Sequence, residues 1–495
     1  MSRASLAIAM LLFVSAPVQA AEKWYTAETS EFIVIGDAPK KQVSEVLEAI
    51  EVYRFITSRF AILRKPAPYK PRIFVLNSDS FRRYTRQRQH VVGFVKPSDF
   101  EMDIVVDSRS ADNWMSNSQI VQHELTHFYL RLNARATVLP VWYDEGLAEF
   151  FSTVNFKGKK ARIGDVPVVR FFALRNLPWL PLPQVLSLDR SAPEYNGHRL
   201  GESFYAQSWL LVHYSMLKEP TLAPALEKMM LNQGVSIELG DAMKFALGPR
   251  ADTLEAELRR YSMGSAWPYR YFERPAESLK TATLQDLDAE SGRAELGALL
   301  VRLNNRSDED LEKDISALMP LARSAEAAAV KAMSKLAIGQ NASADPYLQL
   351  CESSAQTSRA LRYCALSWMT REFGVNNEDE RAGYRRKATT LARRALQMDP
   401  DNFAAINLLL HSADAAGENV AELFSPAEQA LEKIPSSFTL RLSLAKAYFD
   451  AGRFEDAQRH LEHAALHEPD PTRRDIALGL LRNVENAMAA KEKRR

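Results

Sequence analysis

The second half of the chain repeats itself. Pro400, Pro435 and Pro469 recur at 35 and 34 residues, Ala395-Leu396, Ala430-Leu431 and Ala465-Leu466 at 35 and 35, and Gly417 and Gly452 again at 35. A period of this length is that of a helix-turn-helix unit, in which small residues let two helices approach and proline stops the second. Such a unit cannot bury its apolar stripe alone, so the period requires a stacked all-α solenoid. The sequence from about residue 280 to 490 is Ala/Leu/Arg-rich, contains no recognisable strand and reads as this solenoid; from Leu284 to Gly374 only helical hairpins can be argued.

The best copy is Leu444, Ala445, Tyr448, Gly452, Ala457, Leu461, Ala464 and Pro469. These residues resemble the tetratricopeptide repeat, with Arg441 standing where that repeat has its first aromatic.

The preceding residues have a different texture. Phe32–Ile35, Arg72–Leu76, Val91–Lys96 and Met102–Asp107 read as short buried strands, and Lys41–Phe60 as a helix between the first two. An α+β domain over residues 21–270 follows, with the boundary placed in Met263–Ser278, where Gly264, Pro268 and Pro275 break any periodicity. Residues 1–20 have the three parts of a signal peptide: a positive Arg3, an apolar run from Leu6 to Val14, and small residues ending in Val18-Gln19-Ala20. Nine apolar residues are too few to span a bilayer, and no later segment approaches the roughly 18–20 a spanning helix needs. The expected destination is an exported one, a bacterial periplasm.

Charge excludes one class of partner. Sixty-three Lys and Arg against 62 Asp and Glu leave a net charge of +1, without the basic excess that nucleic acid selects. Two cysteines cannot build a thiolate metal site, so any metal must rest on His, Asp and Glu. Cys351 and Cys364, 13 residues apart across a polar stretch, are placed to pair if two antiparallel helices meet there, the alternative being two buried thiols.

The chemistry is concentrated in Gln122–Phe128, which reads Q-H-E-L-T-H-F. His123 and His127 are one helical turn apart, with Glu124 between them: the H-E-x-x-H pattern in which two imidazoles hold a zinc ion and the glutamate is the general base. Ser116 and Gln119 form a capping box that starts the helix just before them. Val121, Leu125, Phe128 and Leu132 fall on one stripe, and the histidines point the other way. A catalytic zinc needs a third protein ligand. Trp142–Phe151 (WYDEGLAEFF) offers Glu145, beyond a turn through Val138-Leu139-Pro140, and Glu149 one turn later to accept an N–H from a ligand histidine.

His123 to His127 followed by P-V-W-Y-D-E-G-L-A-E-F-F resembles the gluzincin branch of zinc peptidases, and more narrowly the peptidase MA-like family of bacterial proteins, often joined to tetratricopeptide repeats. The resemblance covers about residues 24–262. It implies a thermolysin-like core, with His123, His127 and Glu145 as Zn²⁺ ligands, Glu124 as general base and Glu149 as the carboxylate behind the ligands. Peptide-bond hydrolysis by zinc-activated water follows. Tyr205, on a later helix at the separation of the tyrosine donor in gluzincin aminopeptidases, is the candidate for stabilising the oxyanion; it also belongs to an apolar stripe with Trp209, Val212 and Met216, and could be core alone.

Two further groups read as bystanders. His460, His463 and His467 occupy outward positions of a repeat helix, and Lys157–Arg162 (KGKKAR) reads as a solvated loop. The repeats would recruit a peptide or protein substrate or a protein partner. The competing function is a non-catalytic periplasmic scaffold that keeps a metalloprotease-like domain. Since every zinc-chemistry residue precedes Met263, a fragment from Ala21 to about Arg274 is expected to fold and bind zinc without the repeats.

Overall fold

A computed structural model of the chain describes residues 22–87, 91–109, 116–133, 139–157, 160–190, 192, 198–233, 238–273, 282–415, 418–468 and 470–492. The signal-peptide reading falls outside them, as do Gly417, Pro469 and the Val138 part of the expected turn.

The N-terminal part is built on a mixed six-stranded sheet in the order β4-β5-β3-β2-β1-β9: β1 (Trp24–Glu28), β2 (Ile33–Gly36), β3 (Arg72–Leu76), β4 (Gly93–Pro97), β5 (Met102–Asp107) and β9 (Gln285–Leu287). Strands β2, β3 and β5 are parallel neighbours, and the outer pairings are antiparallel. The sequence reading locates β3 and β5 to the residue. All of their side chains are buried, as in strands covered on both faces, including the charged Arg72, Asp103 and Asp107.

One face carries α1 (Lys40–Thr57) and α3 (Asn117–Asn133). The capping box forms as read: Ser116 N donates to Gln119 Oε1 at 2.8 Å and Gln119 N to Ser116 Oγ at 3.3 Å. Val121, Leu125, Phe128 and Leu132 are buried, and the Tyr53 hydroxyl of α1 meets Thr126 at 2.9 Å, which fixes the rotation of α3 about its axis. Helix α2 (Ser78–Thr85) follows β3, and α4 (Val141–Phe151) follows α3. Next come a hairpin of β6 (Asn155–Lys157) and β7 (Lys160–Ile163), helices α5 (Val168–Asn176), α6 (Leu182–Ser187) and α7 (His198–His213), then α8 (Leu222–Gln233), α9 (Leu239–Leu247) and α10 (Leu254–Ser262). Of the expected Lys157–Arg162 loop, Lys157 and Lys160–Arg162 thus lie in strands, while residues 158–159 fall outside the described ones; β8 (Arg270–Glu273) extends the hairpin into a second, three-stranded sheet.

Gly146 has a steric reason. A Cβ there would come within 2.6 Å of the Ser208 carbonyl oxygen, so glycine lets α4 lie directly on α7.

The C-terminal part is a run of helices: α11 (Ala289–Leu303), α12 (Asp308–Leu318), α13 (Ala325–Ala337), α14 (Asn341–Ser354), α15 (Ser358–Glu372), α16 (Glu378–Met398), α17 (Phe403–Ala415), α18 (Phe424–Lys433), α19 (Phe438–Asp450), α20 (Phe454–His467) and α21 (Pro471–Glu492). Small residues mark their contacts, with Ala445, Ala457 and Ala464 buried where α19 meets α20. Cys351 of α14 and Cys364 of α15 are joined in a disulfide, their Cα atoms 5.7 Å apart.

The two parts are not beads on a string. The strand β9 lies beyond the point after which no strand is expected, and it closes the first sheet by pairing with β1. A strand of three residues has no periodicity from which to be read. The opposite sheet face, with Trp24, Ile35, Phe74, Leu76 and Val105, and Phe81 and Tyr84 of α2 share one apolar core with the solenoid. Gly292 of α11 is glycine because a Cβ would run into the Trp24 indole. Buried charges cross the same boundary: Arg302 donates to both oxygens of Asp103, at 2.7 and 3.0 Å, while Arg362 pairs with Glu101 and Arg72 with Glu295. This packing contradicts the expectation of separable halves. Among the described residues no helix is long and apolar enough to cross a membrane.

Candidate metal centre

Helices α3 and α4 cross so that His123, His127 and Glu145 converge. The two Nε2 atoms are 3.1 Å apart, and each is 3.4 Å from Glu145 Oε2. Three ligands bonded to one ion at about 2.0–2.1 Å with tetrahedral angles must lie about 3.3 Å from one another. The triangle has that size. No other group of three or more His, Cys, Asp or Glu among the described residues is arranged to hold a metal.

Behind each histidine stands a carboxylate. His127 Nδ1 is 2.8 Å from Asp144 Oδ1, and His123 Nδ1 is 3.4 Å from Glu149 Oε1, an ion-pair contact rather than a directed hydrogen bond. Glu149 accepts a two-pronged contact from Arg170 of α5, with both N···O distances 2.8 Å, and Arg170 also pairs with Glu202 of α7. Arg190 reaches the other carboxylates, pairing with Asp144 and lying 3.3 Å from Glu145 Oε1.

These contacts set the ionisation. Burial alone would lower the pKa of both imidazoles. For His123 the carboxylates of Glu145 and Glu149 outweigh it and hold the pKa well above the usual value; for His127, Asp144 and Glu145 raise it to about 9. Burial would raise Glu149, but the Arg170 guanidinium overrides it and brings the carboxyl down to about 2. Glu145 is likewise held well below the ordinary range by the two histidines, against its burial. In the metal-free site two ionised carboxylates thus face two imidazoles that readily bear positive charge, and a bound dication would take the place of those protons.

Glu124 is half-buried on α3 and has no hydrogen-bond or ion-pair partner among the described residues. Tyr205 is half-buried on α7, its ring 5.0 Å from the Arg170 guanidinium; Trp209 and Val212 of the same stripe are fully buried. The stripe is therefore core at Trp209 and Val212, half-buried at Met216, and reaches the residues behind the ligands at Tyr205.

Asp144, Arg170 and Arg190 are additions to the sequence reading. Asp144 was visible as the neighbour of Glu145, but adjacent helical residues point about 100° apart and nothing in the sequence tells which face meets His127. Arg170 and Arg190 come from other elements, at no diagnostic spacing.

A family described as tetratricopeptide repeat matches residues 427–479. A second, described as a protein of unknown function (DUF1570), matches residues 117–229. The repeats within residues 427–479 are thus of the tetratricopeptide type, and the second match spans α3 through most of α8, taking in the whole ligand cluster. No curated protein matches the chain.

Proposed function

We propose that the chain is an exported zinc metallopeptidase of the gluzincin kind, with a thermolysin-like catalytic core in which His123, His127 and Glu145 hold the ion. The observation that carries this reading is the triangle of donor atoms at 3.1, 3.4 and 3.4 Å, closed by Asp144 and Glu149 behind the two histidines. Zinc bound there supplies a Lewis acid that polarises the scissile carbonyl and acidifies a water molecule.

The chain's own groups do the rest. Asp144 takes the Nδ1–H of His127 and the Glu149 carboxylate faces Nδ1 of His123 at 3.4 Å, an arrangement that favours the proton on Nδ1 and leaves each Nε2 lone pair to ligate. Arg170 keeps Glu149 ionised for this. Glu124, which makes no side-chain hydrogen bond or ion pair among the described residues, takes the proton of the attacking water and passes it to the departing amine. Tyr205 is the proposed donor to the oxyanion, and Arg190 is a second donor beside the ligand set. The Cys351–Cys364 disulfide accords with an oxidising compartment such as a periplasm.

The test is digestion of a diverse peptide library by the purified full chain. Wild type should cleave. Glu124→Gln should keep zinc and lose at least about 10²-fold in kcat, the size of a general-base contribution, and Tyr205→Phe should lower kcat with little change in KM. Cleavage by Glu124→Gln at the wild-type rate would refute the assignment.

A further inference from the structure

Between the end of α3 and the last repeats lies a cavity of about 460 Å³, within the range that holds small ligands and peptide ends. Its catalytic-side wall includes Phe128, Arg131 and Leu132 from α3 and Asp144 and Arg190 from the metal centre. Its repeat-side wall includes Phe438 and Arg441 of α19 and His463 and His467 of α20. The solenoid closes the cavity by touching the β4–β5 turn, where Asp99 accepts from Thr439 N at 2.5 Å.

The charges in this wall do not cancel in place. Each acid has a partner: Asp99 and Glu468 share Arg473 at 3.6 and 3.3 Å, Asp470 accepts from Arg473 N at 3.1 Å, and Asp144 is taken by His127 and Arg190. Two guanidiniums have none. Among the described residues no carboxylate lies within ion-pair distance of Arg131 or Arg441. Arg441 donates to the Pro435 carbonyl at 2.8 Å and, at 3.5 Å, toward His460 Nδ1. It occupies the position where the repeat resemblance calls for an aromatic, so the solenoid carries a half-buried cation in place of a packing residue. Burial brings its pKa down to about 10, and His463 is held down to about 4 by burial and by Arg441 itself. Glu428, which pairs with His460 and Arg459, offsets part of that burial from beyond ion-pair distance, and a partly buried arginine without a directly paired carboxylate is costly unless an anion comes to it.

The three histidines are therefore not outward bystanders. His460 is buried, 3.0 Å from Glu428, and His463 and His467 face the cavity. The phase of α20 could be read from sequence; that the solenoid bends back onto the β4–β5 turn and covers that face could not.

We infer that this cavity is a docking site for a carboxylate-bearing peptide segment, its anion held by Arg441 and Arg131 and its apolar side chains lying against Phe128, Leu132 and Phe438. Guanidinium forks match a carboxylate in two directions at once, and the apolar walls favour a peptide over a bare ion. The site goes beyond the peptidase reading and needs no turnover, although its wall includes the residues that touch His127 and Glu145.

The experiment uses the full chain carrying Glu124→Gln, so that bound peptide is not consumed. Fluorescence anisotropy is read with labelled peptides of about ten residues: one rich in Asp and Glu with a free C-terminus, its C-terminal amide, and a neutral Asn/Gln counterpart. The acidic peptide should bind at least about tenfold tighter than the neutral one. Arg441→Gln and Arg131→Gln should each erase most of that difference, and Arg441→Lys should restore part of it. Loss on amidation assigns the anion to the chain terminus; retention assigns it to side chains. Because Arg131 is exposed at a helix end, its variant keeps the test alive should Arg441→Gln not fold. Equal binding of acidic and neutral peptides, or an acidic preference surviving both substitutions, overturns the inference. Acidic binding by a chain that proves to hold no zinc would uphold it while removing the peptidase reading.

Discussion

Removing the solenoid uncovers one face of the central sheet, and the cost can be worked from the side chains involved. A fragment ending near Arg274 loses β9, the partner of β1, and strips the covering from the sheet residues Trp24, Ile35, Phe74, Leu76 and Val105 and from Phe81 and Tyr84 of α2 beside them. Returning a buried apolar side chain to water costs about 1.5–3 kcal/mol, so seven of them amount to roughly 10–20 kcal/mol. That equals or exceeds the whole stability of a typical domain, about 5–15 kcal/mol. Arg72 and Asp103 would also lose Glu295 and Arg302. The fragment 22–274 should therefore be insoluble or associated, without a cooperative thermal transition, when compared with the full chain by size-exclusion chromatography and circular dichroism. A monomeric fragment that melts cooperatively within about 5 °C of the full chain would refute the reasoning and restore the picture of separable halves.

Other consequences are more local. Arg302→Leu leaves Asp103, 1% exposed, without its counter-ion, and should cost about 3–5 kcal/mol in urea unfolding; a loss under 1 kcal/mol would show the pair to be idle. The His127 pKa of about 9 lies above its unfolded value, so in metal-free protein its stabilisation is complete below about 6.5 and fades as the pH rises through 9. Zinc must displace that proton, so apparent zinc affinity should climb from pH 6.5 to 9 and then level, a trend readable by chelator competition and contradicted by a flat profile. Reducing Cys351–Cys364, which closes a loop of 13 residues, should lower stability by about 2–3 kcal/mol in denaturant titration; unchanged unfolding midpoints would deny the bond a role.

What the sequence disclosed followed the strength of its periodicities. Strands β3 and β5 were legible because each is an apolar run of strand length, and α3 because its capping box and apolar stripe agree. Strand β1, Trp-Tyr-Thr-Ala-Glu, gave only a weak alternation, and β9 none, since three polar-leaning residues at a sheet edge are held by their partner rather than by their own pattern. The ligand set was legible for the reason that its spacing is itself a helical turn. The groups behind it divide the same way: Glu149 follows Glu145 by one turn, whereas Arg170 and Arg190 reach the site only through tertiary folding. The docking of the solenoid onto the sheet was illegible altogether, because contacts between Trp24 and Gly292 or Asp103 and Arg302 leave no mark at any fixed separation.

The central claim is that three side chains define one zinc site. Metal content of the purified full chain, measured by inductively coupled plasma mass spectrometry after dialysis, tests it most directly when wild type is set beside His123→Ala, His127→Ala, Glu145→Ala and Glu124→Gln. One zinc per chain is predicted in wild type and in Glu124→Gln, with substoichiometric zinc in the three ligand variants while their circular dichroism spectra remain native. Wild-type protein free of zinc after supplementation, or full zinc retention in His127→Ala, would contradict the account.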